Sequence, residues 1–190
     1  MINEIHDARA QAGLSQKEYA QALYISVRTL QEWEQNRRKP SGSARALIKI
    51  AVRHPEIIKE SFDLQLMKQS EASEMLDQMT TRLLGGDEIT FSDLVLDWYR
   101  KEFECRSVPQ PKDSDNLRIA IKATILERLA EVLSSPPHND IQQLPKWCNK
   151  IGALSKPLKL QSNRLLKDEQ YCDVFEKRNL LVVSNFMFFI

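Results

Sequence analysis

The sequence predicts a mainly α-helical protein. A small domain of short helices occupies residues 1–60, and a helical domain over 61–190 follows it and ends in a short β-strand. Three observations predict this. Apolar residues recur at three- and four-residue steps over the first sixty positions and again over 116–134, the period of a helix with one buried stripe. Small polar residues, glycines and prolines stand where helices start and stop. "LLVVSNFMFF" near the C-terminus concentrates β-branched and aromatic residues, the composition of a strand.

Residues 3–12 read as a first helix with Ile5 and Ala8 facing inward, and Gly13 lies just past its end at a C-cap position. Ser15 caps "QKEYAQAL", and Glu18 three residues on completes a capping-box pattern. Tyr24-Ile25 make a short turn. Ser26 then opens a helix from Val27 to about Gln35, with Asn36 at a left-handed cap and Pro40 preventing continuation. "SARALIKIAVRH" is a fourth helix with Ala44, Leu47, Ile48 and Ala51 on one side, and Pro55 marks its end or the start of the next.

Residues 57–84 form one long amphipathic helix or a broken pair, with Leu64, Met67, Met75, Met79 and Leu83 as the apolar stripe and Gly85-Gly86 as the stop. This stripe reads as core packing ahead of an adaptable partner groove. Thr90 with Asp93 opens a helix carrying Leu94, Val95, Trp98, Tyr99 and Phe103, and "PQPKDSD" is a solvated connector. Residues 116–134 place Leu117, Ile121, Ile125, Leu129 and Val132 on one face, and Pro136-Pro137 end the helix. Residues 138–165 are irregular, with Trp147 their one large anchor, and "QYCDVFEKRN" is a short helix. The terminal strand needs a neighbour, and "KPLKLQ" is the only other modest candidate. Two strands alone are marginal, so the balance tips toward pairing with a second copy or a partner.

Charge separates the two regions. The net charge is only +1, but residues 1–60 hold ten Lys/Arg against seven Asp/Glu, so +3 lies there and −2 in the rest. An anion-binding surface therefore belongs to the first third, as a local patch. Three widely spaced cysteines, Cys105, Cys148 and Cys172, offer no Cys-x-x-Cys pair, which fits a reducing cytoplasm rather than a disulfide framework. The charged start is not that of a secretory signal, and no apolar run reaches the length of a membrane span. His6, His54 and His138 lie far apart, and no Gly-rich phosphate loop or nucleophile elbow is present. No catalytic residue, metal or cofactor is expected, and no enzymatic activity.

"GLSQKEYAQALYISVRTLQEWEQNRRKPSG" supplies two helices joined by a tight turn, the second beginning in small polar residues. A helix of that kind fits the major groove, about 12 Å wide, with its first-turn side chains at base edges and nearby polar groups on phosphates. Ala20, Leu23, Leu30 and Trp33 are the apolar residues that would lock the pair together. Chemistry suits the reading positions. Arg28 can pair bidentately with guanine O6 and N7, and the methyls of Val27 or Thr29 can pack on a thymine methyl. Glu32 can accept from cytosine N4 or pair with a neighbouring arginine, and both readings stand open. Thr29 and Gln31 are equally plausible as plain surface residues.

These residues, continued through "SARALIKIAVRHPEII", resemble the Cro/C1-type (XRE) helix-turn-helix regulators. They are most similar to the HigA-like and MqsA-like antitoxin branch, in which "SVRTLQ-WE-GRR-P" followed by "HPE" recurs. The resemblance covers about residues 3–58, under a third of the chain, and implies an N-terminal five-helix-type domain. By position it assigns Gln16 and Ser26 to phosphates, Val27, Arg28 and Glu32 to the base-facing side and Thr29 to base or backbone, and Lys17 and Gln31 complete the expected DNA-binding set. Arg9 and Glu34 match an internal ion pair, and Arg37 and Arg38 a basic loop. Two positions depart from the pattern. Tyr24 stands where the family has a turn glycine, at a cost of about 1 kcal/mol or more, and Asn36 replaces another.

The resemblance implies duplex operator DNA as a partner and a repressor acting as a dimer on a palindromic site, with residues 61–190 making the homodimer. It also implies an alternative: an antitoxin or inhibitor whose C-terminal domain neutralises a protein toxin or other effector. A ligand-gated C-terminal domain is a minor option, because no distinct pocket signature is present.

Overall fold

The computed structural model describes residues 2–112, 114–134, 143–160 and 173–181. The chain divides into two compact units, residues 1–68 and 69–190.

In the first unit, α1 (Ile2–Gln11) ends at Gly13, whose φ of 66° is the left-handed conformation that an L side chain resists. Ser15 starts α2 (Gln16–Ala22) with a complete capping box: its hydroxyl accepts from Glu18 N at 3.3 Å, and Glu18 Oε2 accepts from Ser15 N at 2.8 Å. Hydrogen bonding from the Ser15 backbone N–H first, and from its hydroxyl second, holds the Glu18 carboxyl below its ordinary range. Ser26 starts α3 (Val27–Glu34) by accepting from Thr29 N at 3.0 Å, and Asn36, at φ 56°, turns the chain out of it. Next come α4 (Gly42–Arg53) and α5 (Pro55–Leu84). Pro55 thus begins a helix, where its missing N–H costs nothing.

Five helices build the core of this unit: Ile5, Leu14, Tyr19, Ala20, Leu23, Leu30, Trp33, Ile48 and Ala51 close on Ile58 and Phe62 from the start of α5. Leu47 departs from expectation. It lies 42% exposed, because α4 turns Ile48 and Ala51 inward, with Ala44 and Val52 at the margin.

The helix α5 runs unbroken for 30 residues. Its expected apolar stripe is only half buried. Met75, Met79 and Leu83 enter the core of the second unit, whereas Leu64 and Met67 are 55% and 61% exposed. Eleven residues, about three turns, separate Leu64 from Met75, so both point the same way along the helix. Only the later stretch has other elements covering that side.

In the second unit, α6 (Glu88–Arg100) is capped by Asp87, which accepts from Thr90 N at 3.1 Å. The expected opening at Thr90 and Asp93 is therefore one turn too late: Thr90 is the residue whose backbone the cap satisfies. Phe103 lies beyond the helix, after a left-handed Glu102 (φ 52°), and packs edge-on against Trp98 at 5.3 Å. The helix α7 (Asn116–Ser134) is covered nearly all round rather than along one stripe; Ala123, Leu126 and Ala130 are buried with Ile121, Ile125 and Leu129, while Leu117 and Val132 are half-buried. Trp147 anchors the irregular stretch as expected, donating its indole N–H to Val108 O at 3.0 Å.

The short helix α8 (Asp173–Glu176) leads to a two-stranded parallel pairing of β1 (Leu158–Lys159) with β2 (Leu180–Leu181), in which Leu158 faces Leu180. The described start of the terminal strand pairs within its own chain, with "KPLKLQ". Arg178 secures this corner with a bidentate pair to Glu127, both bonds 2.6 Å, and donates to Cys148 O at 3.3 Å. Residues 182–190, His138, Cys172 and Pro136-Pro137 lie outside the described residues. Cys105 and Cys148 are buried free thiols, and burial pushes both up to about 12.

Candidate nucleic-acid interface

The pair α2–α3 is held rigidly. Ala20 and Leu30 are fully buried, and Leu23 and Trp33 nearly so. The turn between the helices bonds Tyr24 N to Gln21 O at 3.0 Å and Ile25 N to Ala20 O at 2.9 Å. Tyr24 takes φ 54° there, as the departure from glycine requires, and its ring stays 69% exposed, so packing does not offset the strain.

A hydrogen-bonded network fixes the angle of the pair to α1. Arg9 Nε donates to Glu34 Oε1 at 2.9 Å, and Gln16 Nε2 donates to Glu34 Oε2 at 2.5 Å. Gln31 Nε2 donates to Gln16 Oε1 at 3.1 Å, and Arg9 Nη1 to Leu14 O at 3.1 Å. The Glu34 side chain is 8% exposed and that of Arg9 16%. Two donors converge on a nearly buried carboxylate, the arrangement that makes such a charge tolerable. Beneath it, the Tyr19 hydroxyl is pushed up to about 12, first by burial and then by the Glu34 charge.

The residues expected at bases and phosphates fall into three groups. Ser26 and Thr29 bond to each other, hydroxyl to hydroxyl at 2.8 Å, in addition to the cap. Arg28, Glu32 and Arg38 form a chain: Arg28 Nε lies 3.2 Å from Glu32 Oε1, and Arg38 Nη1 lies 4.0 Å from Glu32 Oε2. Gln16 and Gln31 belong to the network just described, so Gln16 is a strut as well as a phosphate candidate. Val27, Lys17 and Arg37 join none of these. Val27 is half-buried against the core, which leaves Arg28, with 88% of its side chain exposed, as the prominent group of the first turn.

Positive charge extends beyond the residues singled out by sequence. Among the described residues, Arg37, Lys39, Arg45, Lys49 and Arg53 have no acidic partner, and all are exposed. Arg45, Lys49 and Arg53 recur at four-residue steps along α4, a signal the sequence held but which the apolar reading of that helix passed over. A cleft of about 380 Å³ lined by Trp33, Asn36, Arg38, Lys39 and Arg45 shares Pro40 and Arg45 with a second that reaches Lys49 and Arg53. Basic residues thus run from the loop onto α4, with the Glu4 carboxylate also lining the second cleft.

Elsewhere, His6 contacts Asp7 and His54 contacts Glu56. Among the described residues no group of three or more His, Cys, Asp or Glu could hold a metal ion, and no helix is long and apolar enough to cross a membrane.

A short helix with an exposed first turn, braced by its neighbour and by a buried ion pair, defines the class. Residues 5–51 match the helix-turn-helix family, and this N-terminal segment is a helix-turn-helix of the Cro/C1 (XRE) type. Among characterised proteins it is similar to the antitoxin HigA-2 of Vibrio cholerae serotype O1, with 40% identity over 62 residues, 33% of this chain. The chain spans 60% of that relative's length. No solved structure matches.

Proposed function

We propose that this chain is a sequence-specific DNA-binding repressor that lays α3 in the major groove of a palindromic operator, at its own promoter, and binds as a dimer through residues 61–190. The observation that carries the reading is the exposed first turn of α3 on a braced frame. Arg28 stands out into solvent while Arg9, Gln16 and Glu34 hold the helix in place. A helix with its side chains is about 10–12 Å across, a match for the groove width of about 12 Å.

In this reading Gln16, Lys17, Ser26, Arg37 and Arg38 hold phosphates, and Val27, Arg28, Thr29, Gln31 and Glu32 line the base-facing side. Phosphate contacts place the helix and supply salt-sensitive affinity, and base contacts supply sequence choice. One module of this size buries too little surface for tight specific binding, which favours a symmetric pair on half-sites about one helical turn apart. Ile89 and Tyr99, at least 40% exposed on α6 of the second unit, are apolar residues available to such an interface. The domain boundary near residue 60, the absence of enzymatic activity and a cytoplasmic location belong to the same proposal.

Gel shifts with the full chain on the DNA upstream of its gene test it. A salt-sensitive specific complex that Arg28→Ala abolishes supports the reading; no specific complex, or one untouched by Arg28→Ala, overturns it.

The likeness to HigA-2, named as an antitoxin, favours a second reading in which residues 61–190 neutralise a protein toxin or effector while the N-terminal segment controls the operon. Co-purification with the product of the neighbouring gene separates the two. A stable hetero-complex supports the antitoxin reading, and an isolated homodimer the plain repressor.

A further inference from the structure

Glu32 occupies an ambiguous place. It lies one turn after Arg28 on α3, and a carboxylate there can read a cytosine amino group or serve a protein partner. Its surroundings decide between them. Oε1 lies 3.2 Å from Arg28 Nε, and Oε2 faces Arg38 Nη1 at 4.0 Å. The backbone carbonyl of the same residue accepts from Arg37 N at 2.8 Å and Arg38 N at 3.2 Å. Only 27% of its side chain is exposed, against 88% for Arg28. Oε1 of Glu32 is therefore hydrogen-bonded within the protein, to the first turn of α3, while Oε2 keeps a looser ionic contact with the basic loop.

The consequence for Arg28 follows from guanidinium geometry. The contact to Glu32 uses Nε–H, on one edge of the planar group. Neither terminal nitrogen of Arg28 has a partner among the described residues. Those two nitrogens form the fork that matches O6 and N7 of a guanine. A long exposed arginine otherwise samples many rotamers, and binding must then fix one. A carboxylate holding the inner edge narrows that choice before DNA arrives.

We infer that Glu32 is a positioning residue for base recognition: it orients the Arg28 guanidinium toward a guanine in the major groove and does not itself read a base. This rests on the proposed DNA-binding function and assigns one G·C pair of each half-site to Arg28. Glu32 also keeps a negative charge close to the phosphates. It lowers affinity for all DNA while sharpening the choice among sequences.

The test uses the full chain and duplexes selected from a randomised pool, followed by a panel varying one base pair at a time. Arg28→Ala removes a guanine preference of about ten- to hundred-fold at one position. Glu32→Ala weakens the preference at that same position by about two- to twelve-fold, the range set by the cost of immobilising one rotamer-rich side chain. It also binds unrelated duplex more tightly than the wild type does. Glu32→Gln keeps most of the preference, because its amide oxygen accepts the same Nε–H bond. Arg28→Ala with Glu32→Ala discriminates no worse than Arg28→Ala alone.

A Glu32→Ala preference lost at a different base pair, with the guanine position intact, would mean direct reading of cytosine and overturn the inference. An unchanged guanine preference in Glu32→Ala does the same. A wild-type chain with no sequence preference at all overturns the functional reading beneath it instead. Circular dichroism melts of each variant separate lost recognition from lost folding, and Glu32→Gln supplies the check if Glu32→Ala fails to fold.

Discussion

Removing Arg9 is the most informative perturbation of the frame that carries α3. The Glu34 side chain is 8% exposed and takes one bond from Arg9 at 2.9 Å and one from Gln16 at 2.5 Å. Arg9→Ala leaves that carboxylate with Gln16 alone and opens the Leu14 carbonyl that Arg9 also satisfied. Breaking one side of a buried ion pair costs about 3–5 kcal/mol; the pair here keeps some solvent contact, so about 3 kcal/mol is expected. For a unit of this size, each kcal/mol lowers the midpoint by about 4–8 °C, so its thermal transition falls by at least about 12 °C. Replacing both partners, Arg9→Leu with Glu34→Leu, leaves no uncompensated charge and costs less than Arg9→Ala. Differential scanning calorimetry and urea unfolding of the wild type and these two variants measure both losses. A loss below about 1 kcal/mol in Arg9→Ala, or a double variant less stable than the single one, would refute the view that this pair braces the helices.

Three further expectations concern separate features. Tyr24→Gly relieves a left-handed turn with little packing to lose; the gain is up to about 1 kcal/mol after glycine's extra unfolded-state freedom is subtracted, and a lower melting midpoint would contradict it. Neutralising Arg37, Lys39 and Arg45 together lowers the salt slope of DNA binding by about one unit for each phosphate contact removed, with base preference unchanged; an unaltered slope would place the basic surface away from DNA. The thiols of Cys105 and Cys148 are raised by burial from an ordinary value of 9.0 to about 12, so the folded state holds protons that the unfolded state releases. Their contribution is complete below about pH 9 and is lost as pH rises toward 12, which urea unfolding across that range detects; stability independent of pH there would count against it.

The first unit was legible because its signals are local. Ser15 with Glu18, Ser26 with Thr29, Gly13 and Asn36 each fix a helix end within three or four residues, and all four took the expected geometry. Signals that depend on distant partners were not legible. Met75 and Leu64 present the same face of α5, and only the presence of other elements beside Met75 distinguishes them. The strand pairing of Leu158 with Leu180 needed a three-dimensional neighbour that composition alone set against a second copy. At α6, Asp87 was overlooked because it follows the glycine pair that ends α5 and reads as part of the same stop. Among the site residues, a neighbouring arginine was one of two readings left open for Glu32, and Arg28 at i to i+4 spacing supplies it. The bonds from Gln16 to Glu34 and from Gln31 to Gln16, across fifteen and more residues, could not be read from spacing.

The contrast between Arg28, almost entirely in solvent, and Glu34, almost entirely out of it, has a consequence for how this module can change. Positions 28, 29 and 32 lie outside the network at 9, 16 and 34, so under the proposed DNA-binding function target preference can drift or be reprogrammed while folding stays fixed. A combinatorial library over those three positions should return many folded variants with altered operators. The same library over 9, 16 and 34 should return few that fold.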